Sequence, residues 1–225
     1  MLKSAWASLS PSIKNIINKA GFGTFYETLS NYKTHEYRDL QLLLALTKHT
    51  TCTFHFPGIG EVMLTPYEFS IITGLRLGRK RILVNHSFTS TELKKLLGVM
   101  PFRMRSNNIP LSWLCENIPQ CKIVAKGARM FMLLFIRTFL CLDLGSTVNL
   151  RYLGSLRKIE KIQNYDWGGM AYATLMHFMT QLPLKLGWGS ICMAGEVWYL
   201  FGYVGYGKSF WLCCNDVVKF SSLDV

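Results

Sequence analysis

Apolar residues recur at helical spacing along most of this chain, and only one short stretch alternates instead. Ser10-Pro11 reads as an N-cap with proline at the first helical position, and the helix SIKNIINKA stops at Gly21. A second helical stretch covers residues 25–30. A third covers residues 36–48, with Leu40, Leu43, Leu44 and Ala45 on one side. Residues 51–56 (TCTFHF) are β-branched and aromatic and they alternate; PGIG and EVML follow, which predicts a β-hairpin. Thr65-Pro66-Tyr67-Glu68 is a capping box that opens the helix YEFSIIT, closed by Gly74. Thr89-Ser90-Thr91-Glu92 is another, opening TELKKLLG.

Beyond it, residues 101–110 read as a polar loop, 111–117 as a short helix and 122–142 as a long apolar helix. Residues 147–161 are amphipathic, with Val148, Tyr152, Leu153, Leu156 and Ile159 on one face of a helix. Helices over 167–181 and 191–201 complete the pattern. The expected fold class is mainly α: a compact multi-helix domain with a small β-hairpin near residues 51–64. One helical domain is expected over residues 1–200, followed by a divergent tail, 201–225.

Composition sharpens this picture. Half of the 225 residues are hydrophobic and 13% are aromatic, which excludes a disordered chain. Lys and Arg number 25 against 13 Asp and Glu, a net charge of +12 that favours acidic partners. The cations are densest in two stretches. One holds Arg76, Arg79, Lys80 and Arg81; the other holds Arg151, Arg157, Lys158 and Lys161. These eight residues are the candidate nucleic-acid contacts, and a solvated face is the competing reading. Seven cysteines, with no apolar leader segment at the N-terminus, read as reduced, buried, small hydrophobes of an intracellular protein. The most apolar run, residues 130–144, carries Arg137 and Asp143 and falls short of the ~20 apolar residues of a spanning helix. It reads as a core helix, and no membrane association is expected.

Candidate chemistry changes little. GYVGYGKS fits the phosphate-loop pattern through Gly202, Gly207, Lys208 and Ser209. That loop needs a buried parallel strand before it and a crossover helix with a second strand after it, about 30 residues. Only 225 − 209 = 16 residues follow Ser209, so an NTPase is the remote alternative. His49, Cys52 and His55 are spaced three apart but lack a fourth ligand nearby. His177 sits mid-helix and reads as a partnered core or rim residue. No catalytic, cofactor or metal residues are assigned, and the chain reads as a non-enzyme.

An ordered set of stretches resembles the plant mobile domain family, also labelled aminotransferase-like. Trp6 precedes a helix that ends in AGFG, with Gly21 and Phe22. DLQLLLAL (39–46) follows, then a signature with Phe54, Gly60, Glu61, Thr65 and Gly74. YLGSL (152–156), YDWGGMAYATL (165–175) with Trp167 and Gly168, and GEVWYL with Trp198 close the set. The resemblance covers residues 6–200. It implies a nuclear, transposon-related protein, with relatives in transposon silencing, genome stability and meristem maintenance, some partnered by a plant serine/threonine phosphatase. It lends no support to an aminotransferase, since a Schiff-base Lys and a phosphate cup cannot be placed. The family's Trp after DLQLLLAL is missing from LTKHTT, and the tail 201–225 matches nothing in the family.

The motif residues also carry structural expectations of their own. Glu61 either anchors a buried Arg or backbone N–H groups, or is an exposed strand-end charge. Asp166 is the N-cap of a helix whose first residue, Trp167, enters the core. Gly168 and Gly169 either allow another helix to approach closely or loosen the helix start.

Overall fold

The computed structural model describes residues 2–31, 47–48, 50–56, 58–98, 107–140 and 146–185. In chain order the elements are α1 (Leu2–Ser8), α2 (Pro11–Lys19), α3 (Gly23–Asn31), β1 (Thr47–Lys48), β2 (Thr53–Phe56), β3 (Gly60–Val62) and α4 (Pro66–Thr73). They continue with α5 (Ser90–Leu97), β4 (Asn108–Pro110), α6 (Leu111–Asn117), α7 (Val124–Phe135), β5 (Thr147–Asn149), α8 (Leu153–Leu156) and α9 (Trp167–Lys185). A π-helical turn, Ile136–Leu140, extends α7, and 3-10 turns cover Leu150–Tyr152 and Ile159–Asn164. The fold is mainly α, with two small antiparallel sheets.

Local chemistry sets the helix ends. The Ser10 hydroxyl accepts the Ile13 N–H and Pro11 opens α2. At α4 the Thr65 hydroxyl accepts the Glu68 N–H at 3.2 Å, while the Glu68 carboxylate accepts the Thr65 N–H at 2.8 Å. Gly74 then ends the helix at φ 71°, a left-handed conformation that side chains disfavour. Thr89 and Glu92 form the same reciprocal pair ahead of α5.

The chain divides into two compact units, Met1–Ser30 with Leu75–Ala171, and Asn31–Gly74 with Tyr172–Val225. The core of the first is built on α7, where every residue from Met130 to Phe135 is buried. Phe22 meets Phe135 edge-on at 5.3 Å and Trp167 at 5.7 Å, and Trp6 stacks on Tyr26 at 4.2 Å. Off-centre and edge-on geometries of this kind favour aromatic pairs beyond their burial. In the second unit β1, β2 and β3 form one sheet, with Phe54 opposite Val62 and His55 opposite Glu61. Phe69 is fully buried against Tyr172, whose hydroxyl donates to the Leu64 carbonyl at 2.8 Å.

The hairpin, both capping boxes, α6 and the start of α9 lie where the pattern predicts them. Five expectations change. Thr47 and Lys48 do not end a helix; they form β1, with the β-branched Thr47 buried and paired to Phe54. Cys52 leaves the expected strand and sits in the turn at φ 53°, so it does not alternate with His55. Asn108–Pro110 is a strand rather than a loop, paired with Thr147–Asn149. That pairing breaks the expected helix over 147–161. Asn149 caps a 3-10 turn by accepting the Arg151 N–H at 2.9 Å, and α8 is a single turn. The apolar face is buried as expected at Val148, Tyr152, Leu153 and Leu156, while Ile159 is only half-buried. The long apolar helix likewise changes character at Ile136 and becomes π-helical. Most of the helix expected over 36–48, all of that over 191–201, and the boundary at residue 200 lie outside the described residues.

Candidate basic interface

The two basic stretches come together. Residues 76–85 run without regular secondary structure along residues 151–168, within the first unit, with a bend at Arg79 and one isolated parallel bridge from Lys80 to Tyr165. The Gly168 N–H donates to the Arg76 carbonyl at 3.2 Å, and the Lys80 N–H to the Asn164 carbonyl at 3.0 Å. The Asp166 N–H returns to the Lys80 carbonyl at 2.8 Å, and the Asn85 N–H reaches the Arg151 carbonyl at 2.9 Å. Side chains add two links. The Gly78 N–H donates to the Asp166 carboxylate at 3.0 Å, and the Leu83 N–H to the Ser155 hydroxyl at 2.7 Å. Glycine makes the closest approach possible. A Cβ on Gly78 would lie 2.3 Å from the Tyr165 carbonyl, and one on Gly168 would lie 2.8 Å from the Arg76 carbonyl oxygen. The neighbour that Gly168 admits is thus the backbone of Leu75 and Arg76, not the helix the sequence suggests.

One edge of the segment is used and the other is open. The N–H groups of Leu77, Arg79, Arg81 and Val84 make no hydrogen bond among the described residues. All four residues are exposed, with Leu77 at 42% and Val84 at 47%, and Leu83 beside them at 53%.

The eight candidate cations divide into two kinds. Arg76, Arg79, Lys80, Arg81, Lys158 and Lys161 are exposed and have no acidic partner among the described residues. Arg157 is exposed too, but its guanidinium donates to Glu92 at 2.6 Å and lies over the Phe88 ring. Arg151 is half-buried, donates to the Tyr152 hydroxyl at 2.7 Å and lies over that ring. Its Nε is the one buried side-chain polar atom without a partner among the described residues. Six cations therefore remain available along one seam.

Arg129, which no sequence pattern singles out, holds the backing of this seam. Its Nε donates to the Leu156 carbonyl at 2.9 Å, Nη1 to Leu96 at 3.2 Å and Nη2 to Arg157 at 2.8 Å. Burial lowers its proton affinity below that of an ordinary guanidinium. Three carbonyl acceptors on two chain segments give the fork a structural role.

The motif residues of the family resemblance occupy structural positions. Gly21 takes φ 90° after α2, and Phe22 is buried against Trp167. Trp167 is 2% exposed, its indole N–H donates to the Ile162 carbonyl at 2.9 Å, and Asp166 caps α9 by accepting the Gly169 N–H at 2.9 Å. In the second unit Phe54 is buried, Gly60 takes φ 101° at the hairpin, and Thr65 and Gly74 bound α4. Glu61 holds no buried Arg. It pairs with the exposed Lys48 and accepts the Thr53 hydroxyl at 3.2 Å; the Lys48 bond keeps its carboxyl below the usual range. Trp198 and the Gly202, Gly207, Lys208, Ser209 stretch lie outside the described residues.

Cys52, Cys115 and Cys121 form no disulfide among the described residues and are half-buried rather than fully buried, and burial pushes the Cys115 thiol up. Among the described residues no three His, Cys, Asp or Glu side chains gather as metal ligands, and no helix is long and apolar enough to cross a membrane. His177 is exposed on α9.

No curated protein and no solved structure matches the chain significantly. A family model matches residues 1–200, and the chain belongs to that family, DUF8566, a domain of unknown function.

Proposed function

We propose that this chain is a non-enzymatic interaction module, and that the ridge of residues 76–85 binds an acidic protein segment in extended form. The observation that carries this is the open edge of the ridge, where the exposed residues Leu77, Arg79, Arg81 and Val84 have N–H groups with no bond among the described residues. Such an edge accepts an added strand through main-chain hydrogen bonds, and flanking side chains select the partner. Arg79, Lys80 and Arg81 would select acidic residues. Leu77, Leu83 and Val84 favour a partner that also carries aliphatic side chains, which a phosphate backbone lacks. The resemblance to plant mobile domain proteins supports a nuclear role in transposon silencing, genome stability or development. It also makes a plant serine/threonine phosphatase-like protein the first partner to try.

A second reading, direct nucleic-acid binding, is favoured by the gathering of six unpaired cations on one seam and by the net charge of +12. Fluorescence anisotropy with a labelled peptide of alternating Asp and Val, and with duplex DNA of matched charge, separates the two. The proposal predicts that the peptide still binds at ~150 mM salt, while DNA affinity falls steeply on a log–log salt plot. Methylating alternate backbone nitrogens of the peptide should abolish its binding. Tight DNA binding at that salt with no peptide binding would favour the second reading, and no binding of either would overturn both.

A further inference from the structure

A second feature of the first unit lies away from the ridge. A cavity of ≈ 480 Å³ opens between the end of α5, helix α6 and the start of α7. Leu97 and Met130, each 2% exposed, line it from the core, and the half-buried Trp113 supplies an aromatic wall. Lys94, Lys122 and Lys126 also line it. None of these three ammonium groups has a partner among the described residues, and no acidic residue is among the described lining. Three like charges around one concavity repel each other and raise the local concentration of anions.

The cavity also reaches the first turn of α7. Ile123 contributes no side-chain cap there, and the Lys126 and Gly127 N–H groups bond to its carbonyl. Ammonium ions suit a phosphate, and three of them without partners around one concavity argue for an anion. The volume falls within the range of small-molecule sites, roughly 300–1,000 Å³. We infer that this cavity binds a small organic phosphate with a flat ring. The phosphate sits among Lys94, Lys122 and Lys126, and the ring lies against Trp113.

Isothermal titration of the full chain tests this with AMP, adenosine, glucose 6-phosphate and inorganic phosphate. AMP should bind about tenfold or more tighter than each of the other three, a difference of ~1.4 kcal/mol or more. K122Q/K126Q should lose at least that factor for AMP with an unchanged unfolding temperature, since it removes no intramolecular bond. K158Q/K161Q, on the ridge, should bind AMP like the parent. AMP binding no tighter than adenosine, or unaffected by K122Q/K126Q, would overturn the site. Glucose 6-phosphate binding as well as AMP would overturn the role given to Trp113.

Discussion

The Asp166 carboxylate accepts the backbone N–H of Gly78, 88 residues earlier in the chain, while the same oxygen caps α9 through Gly169. One side chain thus fastens the ridge and starts a helix. Asp166→Ala should lower stability by ~2–3 kcal/mol, combining a lost cap with an unsatisfied N–H. Asp166→Asn keeps an acceptor and should lose less. Gly78→Ala drives a Cβ into the Tyr165 carbonyl and should destabilise at least as much as Asp166→Ala. Urea unfolding at pH 7 ranks the three, and a neutral Gly78→Ala would contradict the close seam.

Trp167 joins the seam to the aromatic core through Phe22 and through its indole bond to Ile162. Trp167→Ala should cost about 3–5 kcal/mol, the usual range for a buried aromatic. Trp167→Phe keeps the ring and loses the donor, so it should fall well short of that loss. Denaturant midpoints at constant m-value read the difference.

Arg129 bonds carbonyls at Leu96, Leu156 and Arg157. Arg129→Met retains much of the stem and strands three acceptors, and should destabilise by ~3 kcal/mol. Arg129→Lys should recover only part, because an ammonium cannot reproduce the fork. Recovery to parental stability by Lys would contradict the geometry.

Glu92 gives a pH signature. The Thr89 backbone bond first, with the Thr89 hydroxyl and Arg157, holds its carboxyl below the ordinary glutamate range, outweighing the opposing effect of desolvation. A depressed carboxyl stabilises the fold above its unfolded pKa, ~4.3, and that contribution fades as pH falls through the lower folded value. Glu92→Gln should therefore unfold at a lower temperature than the parent at pH 7, and the two should converge as pH drops below 4. Parallel melting curves across that window would contradict the assignment.

Much of this architecture is legible in sequence because its signals are local. Thr65 with Glu68, Thr89 with Glu92, Ser10 with Pro11, and Asp166 ahead of Trp167 each mark a helix start within four residues. Residues 147–161 are not legible in that way. Their apolar spacing suits a helix, but pairing of Val148 with Ile109 outweighs local preference. The two basic stretches are visible as composition, yet their union depends on bonds between residues far apart in the chain, such as Leu83 with Ser155 and Gly78 with Asp166. Arg129 and the lysines around Trp113 look like ordinary surface cations until α5, α6 and α7 bring them into place.

The most direct test is amide hydrogen exchange of the full chain with and without the acidic extended peptide. If the ridge takes an added strand, the N–H groups of Leu77, Arg79, Arg81 and Val84 become protected when the peptide binds. The already bonded Lys80 and Asn85 amides should change less. Peptide binding with no protection at those four positions would contradict strand addition and leave a purely electrostatic surface.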